Sequence, residues 1–169
     1  YKTRLAQVES ESNNATAIAQ QSFDNAQATG DQAVELDSVG LSVKSSILSS
    51  VRSPGSTSMG LLRIPGQQTD RIMTTITSPT FPTKLVSQDI RDAVAKGDGK
   101  RVYTQSVTLA DGAPGLVAGS LIDVPSAGLY ELFLVYDLAD AQVTLDFVQS
   151  TLAIGSLALV LLIGAVTYI

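Results

Sequence analysis

With 169 residues and no His, Cys or Trp, the chain offers neither imidazole nor thiol. Zinc fingers, metalloprotease motifs, thiol catalysis and every triad that depends on imidazole are excluded by that absence. The remaining reactive groups are 16 acids, 11 bases and many hydroxyls. No Lys has a Ser three residues before it, which removes the Ser-x-x-Lys nucleophile. Gly97-Asp98-Gly99-Lys100-Arg101 contains a Gly-Lys pair, but no Gly stands five residues before Gly99 and no Ser or Thr follows Lys100. It reads as a helix-to-strand turn, not as a phosphate loop. The carboxylates form no Asp-x-Asp-x-Asp-Gly calcium loop and read as solvated surface charge. Asn14-Ala15-Thr16 fits the glycosylation triplet but falls inside a helical stretch, and such triplets arise often by chance. No catalytic residue, metal ligand or cofactor is assigned to this chain.

For ligand recognition the candidates are Arg63 at the end of a strand and Tyr103, Tyr130 and Tyr136 on later strands. These groups suit a polar-tipped aromatic pocket on one face of a sheet. The competing explanation is core or rim tyrosines with hydrogen-bonded hydroxyls. With only 5 Tyr and 4 Phe, a protein partner or a helix-packing readout is as good an expectation as a metabolite.

The charges that could attract a partner are unevenly placed. The net charge is −5, and the longest basic cluster is Lys100-Arg101. Phosphate neutralisation needs several clustered cations, so a nucleic-acid partner is excluded. Every charge lies in residues 1–146, and Phe147 to Ile169 is charge-free and mostly apolar. That run is long enough for a transmembrane helix, with Phe147, Leu152, Ile154, Leu157, Leu161, Ile163 and Ile169 among its membrane-spanning residues. Between Val102 and Asp146 there are six acids and no Lys or Arg. Cytoplasmic flanks are usually basic, so residues 1–146 are expected outside the cell, with a cytoplasmic continuation after Ile169.

Residues 1–52 carry two helical patterns. Leu5, Val8, Ala15, Ala19 and Ala26 form a thin stripe, and a helix so weakly apolar needs a partner helix or a second protomer. After Gly30-Asp31, positions Ala33, Leu36, Gly40, Val43, Ile47 and Val51 recur at three and four, and Gly40 would permit close approach of another backbone. Residues 53–137 then read as an α+β core. A strand runs from Met59 to Ile64, a short extended piece from Ile72 to Ile76, and a helix from Leu85 to Lys96. A three-strand meander follows over 101–109, 116–124 and 129–136, its last strand apolar on both faces except at Glu131. Asp137 is placed to cap a juxtamembrane helix, 138–146, that continues into the membrane run, so that Leu138, Ala141, Leu145 and Val148 share a stripe. No Gly or Pro separates Asp137 from the membrane run, so strand and helix are joined without slack, and these residues are the candidates for signal transmission.

That element order resembles PAS-like extracytoplasmic sensor domains of the PDC or Cache type. From Asp123-Val-Pro-Ser-Ala-Gly128-Leu-Tyr130 through Tyr136-Asp137-Leu-Ala-Asp140 to Phe147-Val-Gln-Ser-Thr-Leu152, the chain is similar to the junction of sensor domain and second membrane span in actinobacterial sensor histidine kinases of the MtrB type. The resemblance implies a PAS-like α+β fold closing in a C-terminal transmembrane helix, and a homodimer set in membrane lipid. It implies a phosphoacceptor His and an ATP- and Mg-binding kinase domain outside this chain. It further implies a response regulator of the MtrA type, and a lipoprotein of the LpqB type at the outer part.

The expected function is therefore that of an extracytoplasmic signal-sensing domain, passing an envelope or cell-wall related signal through its last strand and residues 138–169. A membrane-tethered scaffold that binds an envelope lipoprotein without inward signalling, and a chemoreceptor sensor domain, are the alternatives.

Overall fold

A computed structural model describes residues 2–28, 35–51 and 57–139. The long polar stretch at the N-terminus forms α1 (Lys2–Ala28), and α2 (Leu36–Ser50) follows. Helix α2 starts at Leu36 with Glu35 at its N-cap, and the expected break at Gly30-Asp31 lies outside the described residues. Strand β1 is Thr57–Arg63, and the extended piece expected at 72–76 is the two-residue β2, Ile76–Thr77. A 3-10 turn, Thr83–Leu85, precedes α3 (Gln88–Ala95). Helix α3 begins later than its apolar spacing predicts because the Ser87 hydroxyl accepts the Ile90 amide and so caps the helix there. Strands β3 (Tyr103–Thr108), β4 (Pro114–Val124) and β5 (Gly128–Asp137) complete the fold.

All five strands form one antiparallel sheet in the order β2-β1-β5-β4-β3, so the last strand in sequence is the central one in space. Strand side chains alternate between faces, and here both faces are covered. Tyr130, Leu132, Leu134 and Tyr136 of β5 pack with Val8, Ala15, Ala19 and Phe23 of α1 and Val43 and Ile47 of α2. Phe133 and Val135 point the other way, to Ile90 and Val94 of α3. Apolar residues on both sides of β5 follow directly from this double cover.

Helix α1 finds its partner within the chain. Its apolar residues meet the sheet, and a row at spacing four supplies hydrogen bonds: the Ser12 hydroxyl lies 3.2 Å from the Tyr136 hydroxyl, Thr16 Oγ1 lies 2.7 Å from Ser120 Oγ, and Gln20 grips the Asp123 backbone. The stripe expected to need a partner helix or a second protomer meets β4, β5 and α2 of the same chain. Gly40 of α2 is buried, and the groups that approach it are the side chains of Ile76 and Met73, not another backbone.

The expected fold, a PAS-like (PDC/Cache-type) domain closing in a C-terminal transmembrane helix, is corrected. The described residues form an α+β arrangement of three α-helices and the five-stranded sheet, and among them no helix is long and apolar enough to cross a membrane. A span needs about 20 mostly apolar residues. With 27 residues α1 has the length, but Arg4, Glu9, Glu11 and Asp24 lie along it; α2 with 15 and α3 with 8 are too short. The run 147–169 lies outside the described residues, as does the juxtamembrane stretch beyond Ala139.

Candidate binding cleft

The four residues expected to share a pocket are divided between two faces and two ends of the sheet. Arg63 stands opposite Tyr130 in the β1–β5 register, on the α1 side. Tyr130 is fully buried; its hydroxyl donates to the Met73 carbonyl and accepts from the Met73 amide, both at 2.9 Å. Arg63 Nη2 donates to the Gln67 carbonyl at 3.0 Å and to Thr69 Oγ1 at 2.9 Å. Both side chains therefore hold the connection between β1 and β2. Tyr136 is on the same face but six residues further along β5, roughly 20 Å away at the strand rise. Burial pushes its hydroxyl up to about 12, a shift the Ser12 hydroxyl opposes. Tyr103 is paired with Gly119 on the α3 side, its ring against Gly97. Among the described residues these four positions do not converge on one pocket.

Space is found instead where β5 ends. A cleft of about 360 Å³ opens on the α3 side of the sheet between the start of β1, the segment leading into the 3-10 turn, and the β3–β4 hairpin. Val135, Leu109, Leu85 and Pro82 give it an apolar wall. Thr57, Ser58 and Thr80 add hydroxyls, and Asp111 and Asp137 add two carboxylates. Each carboxylate is oriented by a backbone amide two residues on: Asp111 Oδ1 accepts from Ala113 at 3.0 Å, and Asp137 Oδ1 accepts from Ala139 at 2.8 Å. Asp137, expected as a helix cap, is thus the last residue of β5, a cap for the Ala139 amide and part of the cleft wall. Leu138 donates its amide to the Pro114 carbonyl at 2.9 Å, holding the strand exit to the same hairpin. Of the other transmission candidates, Ala141, Leu145 and Val148 lie outside the described residues, as do Phe147, Leu152, Ile154, Leu157, Leu161, Ile163 and Ile169.

The chain matches no family model and no curated protein.

A second cleft, of about 670 Å³, separates α1 from the turn between α3 and β3. Two of its polar groups already have partners: Thr16 is bonded to Ser120, and the Gln20 amide is bonded to both the nitrogen and the oxygen of Asp123. Asp98 accepts the Lys100 amide at 3.0 Å, which holds its carboxyl below the usual range. This is the seam along which α1 docks, and Gly99 at φ +72 turns the chain into β3.

The sequence marks Glu131 as the lone charge in an apolar strand, but nothing in the sequence gives its partner. Arg91 of α3 reaches it, with Nε at 2.9 Å and Nη2 at 2.8 Å from the same oxygen, Oε2. Burial raises the Glu131 carboxyl above its ordinary value despite the Arg91 guanidinium, and nearby Asp92 pushes the same way. Ser58 and Asp111 of the cleft were equally hidden: one sits in a strand rich in small residues, and the other in an Asp-Gly turn of the commonest kind.

Proposed function

We propose that this chain is the extracytoplasmic signal-sensing module of a membrane-bound two-component sensor histidine kinase, and that occupancy of the cleft at the end of β5 is its input. One observation carries the reading: Val135 and Asp137, both on the cleft wall, belong to the central strand, and Asp137 also holds the backbone that leaves it. A ligand seated there touches the residues that position the exit of the domain. It shifts the output only by binding one arrangement of that exit better than another.

The likeness of residues 123–152 to sensor kinases of the MtrB type supplies the kinase part of the proposal. The phosphoacceptor His and the ATP and Mg site then belong to other parts of the parent protein. A homodimer, a response regulator of the MtrA type and an envelope lipoprotein of the LpqB type belong to the same proposal.

The test fills the cleft. Ser58 is 7% exposed on its wall, and Ser58→Leu would occupy the space without adding charge. Autophosphorylation of the parent kinase is expected to change about fivefold or more, the lower range of site-to-site coupling. Unchanged output from a variant that melts as the wild type does would sink the proposal. Lipoprotein capture surviving in the absence of any output change would favour a tethered scaffold instead.

A further inference from the structure

We infer that the cleft beside Ser58 recognises a small molecule carrying a primary ammonium on a short apolar body. This assignment of ligand class rests on reading the cleft as the sensing site.

Ser58 is the first reason. It is buried to all but 7%, faces the α3 side opposite Val135, lines the cleft, and its hydroxyl has no hydrogen-bond partner among the described residues. The oxygen is reached from the cleft, where a hydroxyl can accept from a ligand donor or donate to a ligand acceptor.

Charge is the second. Among the described residues the wall holds Asp111 and Asp137 and no Lys or Arg. Lys84, on the adjoining 3-10 turn, is exposed and is not part of the wall. Each carboxylate uses one oxygen on a backbone amide, which fixes its direction and leaves acceptor capacity for a donor in the cleft. An anion would be repelled. A neutral apolar molecule would make no use of the carboxylates or of Ser58. A divalent cation would need six or more oxygens and would leave the apolar wall idle. An ammonium has three donors and no acceptor, which suits two carboxylates and a hydroxyl, while its apolar body lies on Val135, Leu109 and Leu85. The volume of about 360 Å³ sets the size, near the lower end for small-molecule sites.

The same contact links binding to the strand exit. An ammonium on the remaining acceptor sites of Asp137 draws on the same carboxylate that orients the Ala139 amide, so binding bears directly on the strand exit.

The experiment titrates the full chain with L-leucinamide, N-acetyl-L-leucinamide and 4-methylpentanoate at about pH 6.5, where the first is charged. Binding is followed by backbone amide shifts. Saturable binding of L-leucinamide alone is expected, with shifts centred on Ser58, Asp111 and Asp137. Ser58→Ala and Asp137→Asn should each weaken it about tenfold, the worth of one charge-assisted hydrogen bond. Thermal melts exclude variants that fail to fold, and Asp111→Asn, on an exposed turn, provides a second carboxylate variant. Equal binding by N-acetyl-L-leucinamide or 4-methylpentanoate would overturn the ammonium assignment, and so would the absence of saturable binding by all three. Neither result bears on the Ser58→Leu output, which tests the sensing reading separately.

Discussion

Glu131 and Arg91 illustrate how a single pair fixes the relation of a helix to a sheet. Glu131 is 1% exposed in the middle of β5, and both contacts from Arg91 fall on its Oε2. Arg91→Ala strands a buried carboxylate, and at neutral pH the cost is expected near the lower end of about 3–5 kcal/mol, because the Arg91 side chain is itself 27% exposed. The pH dependence has a definite sign. The folded-state value of Glu131 lies above the ordinary 4.5, so its contribution to stability is fully present below 4.5 and is lost as pH rises through the raised value. In denaturant melts, wild type should therefore gain on Glu131→Gln as pH falls toward 4.5, and a gain in the opposite direction would contradict the burial account. The residue-level signal for this pair was half visible: a charge inside an apolar strand is conspicuous in sequence, whereas its partner lies forty positions away on another element.

Among the elements, two glutamines act as extra strand residues. Gln20 of α1 and Gln67 after β1 each bind both the nitrogen and the oxygen of one backbone residue, Asp123 and Leu129, on either side of the β4–β5 turn. Gln67→Ala and Gln20→Ala should each cost about 1–3 kcal/mol, and hydrogen exchange of the Leu129 and Asp123 amides would rise correspondingly. Close packing sets a second constraint. A Cβ at Gly119 would meet the Phe133 ring at 2.5 Å and Val94 Cγ2 at 2.8 Å. Gly119→Ala is thus expected to destabilise by about 1–3 kcal/mol and to push α3 from the sheet, read as a fall in melting temperature. Elements with a strong pattern were legible in sequence: alternation located β3, apolar runs bounded by turn residues located β4 and β5, and the three-and-four spacing located α1 and α2. The two-residue β2 and the start of α3 were not, because a single edge pairing and one Ser87 cap decide them locally. The site was less legible still. Its wall is assembled from four stretches far apart in sequence, and no motif joins Ser58 to Asp111 and Asp137.

At the scale of the whole molecule, the sheet has one end that is tied and one that is addressed. Around the β4–β5 turn, Gln20, Gln67 and the Arg71–Ser126 backbone bond hold the chain. At the other end the cleft opens, and β5 leaves through Asp137 and Leu138 with Pro114 as its contact on the hairpin. The β4–β5 turn is held by side chains from α1 and from the β1–β2 connection, and the cleft lies at the opposite end of the sheet. The position of β5 at the centre of the sheet, with a helical layer on each face, makes its exit responsive to both layers. The measurement that bears most directly on this account is autophosphorylation of the proposed parent kinase carrying Ser58→Leu, with and without two glycines inserted between Asp140 and Ala141. If cleft occupancy travels out along β5 and the backbone after it, the insertion should abolish the change caused by Ser58→Leu while leaving the melting temperature of the domain unaltered. A change of equal size in both backgrounds would contradict it.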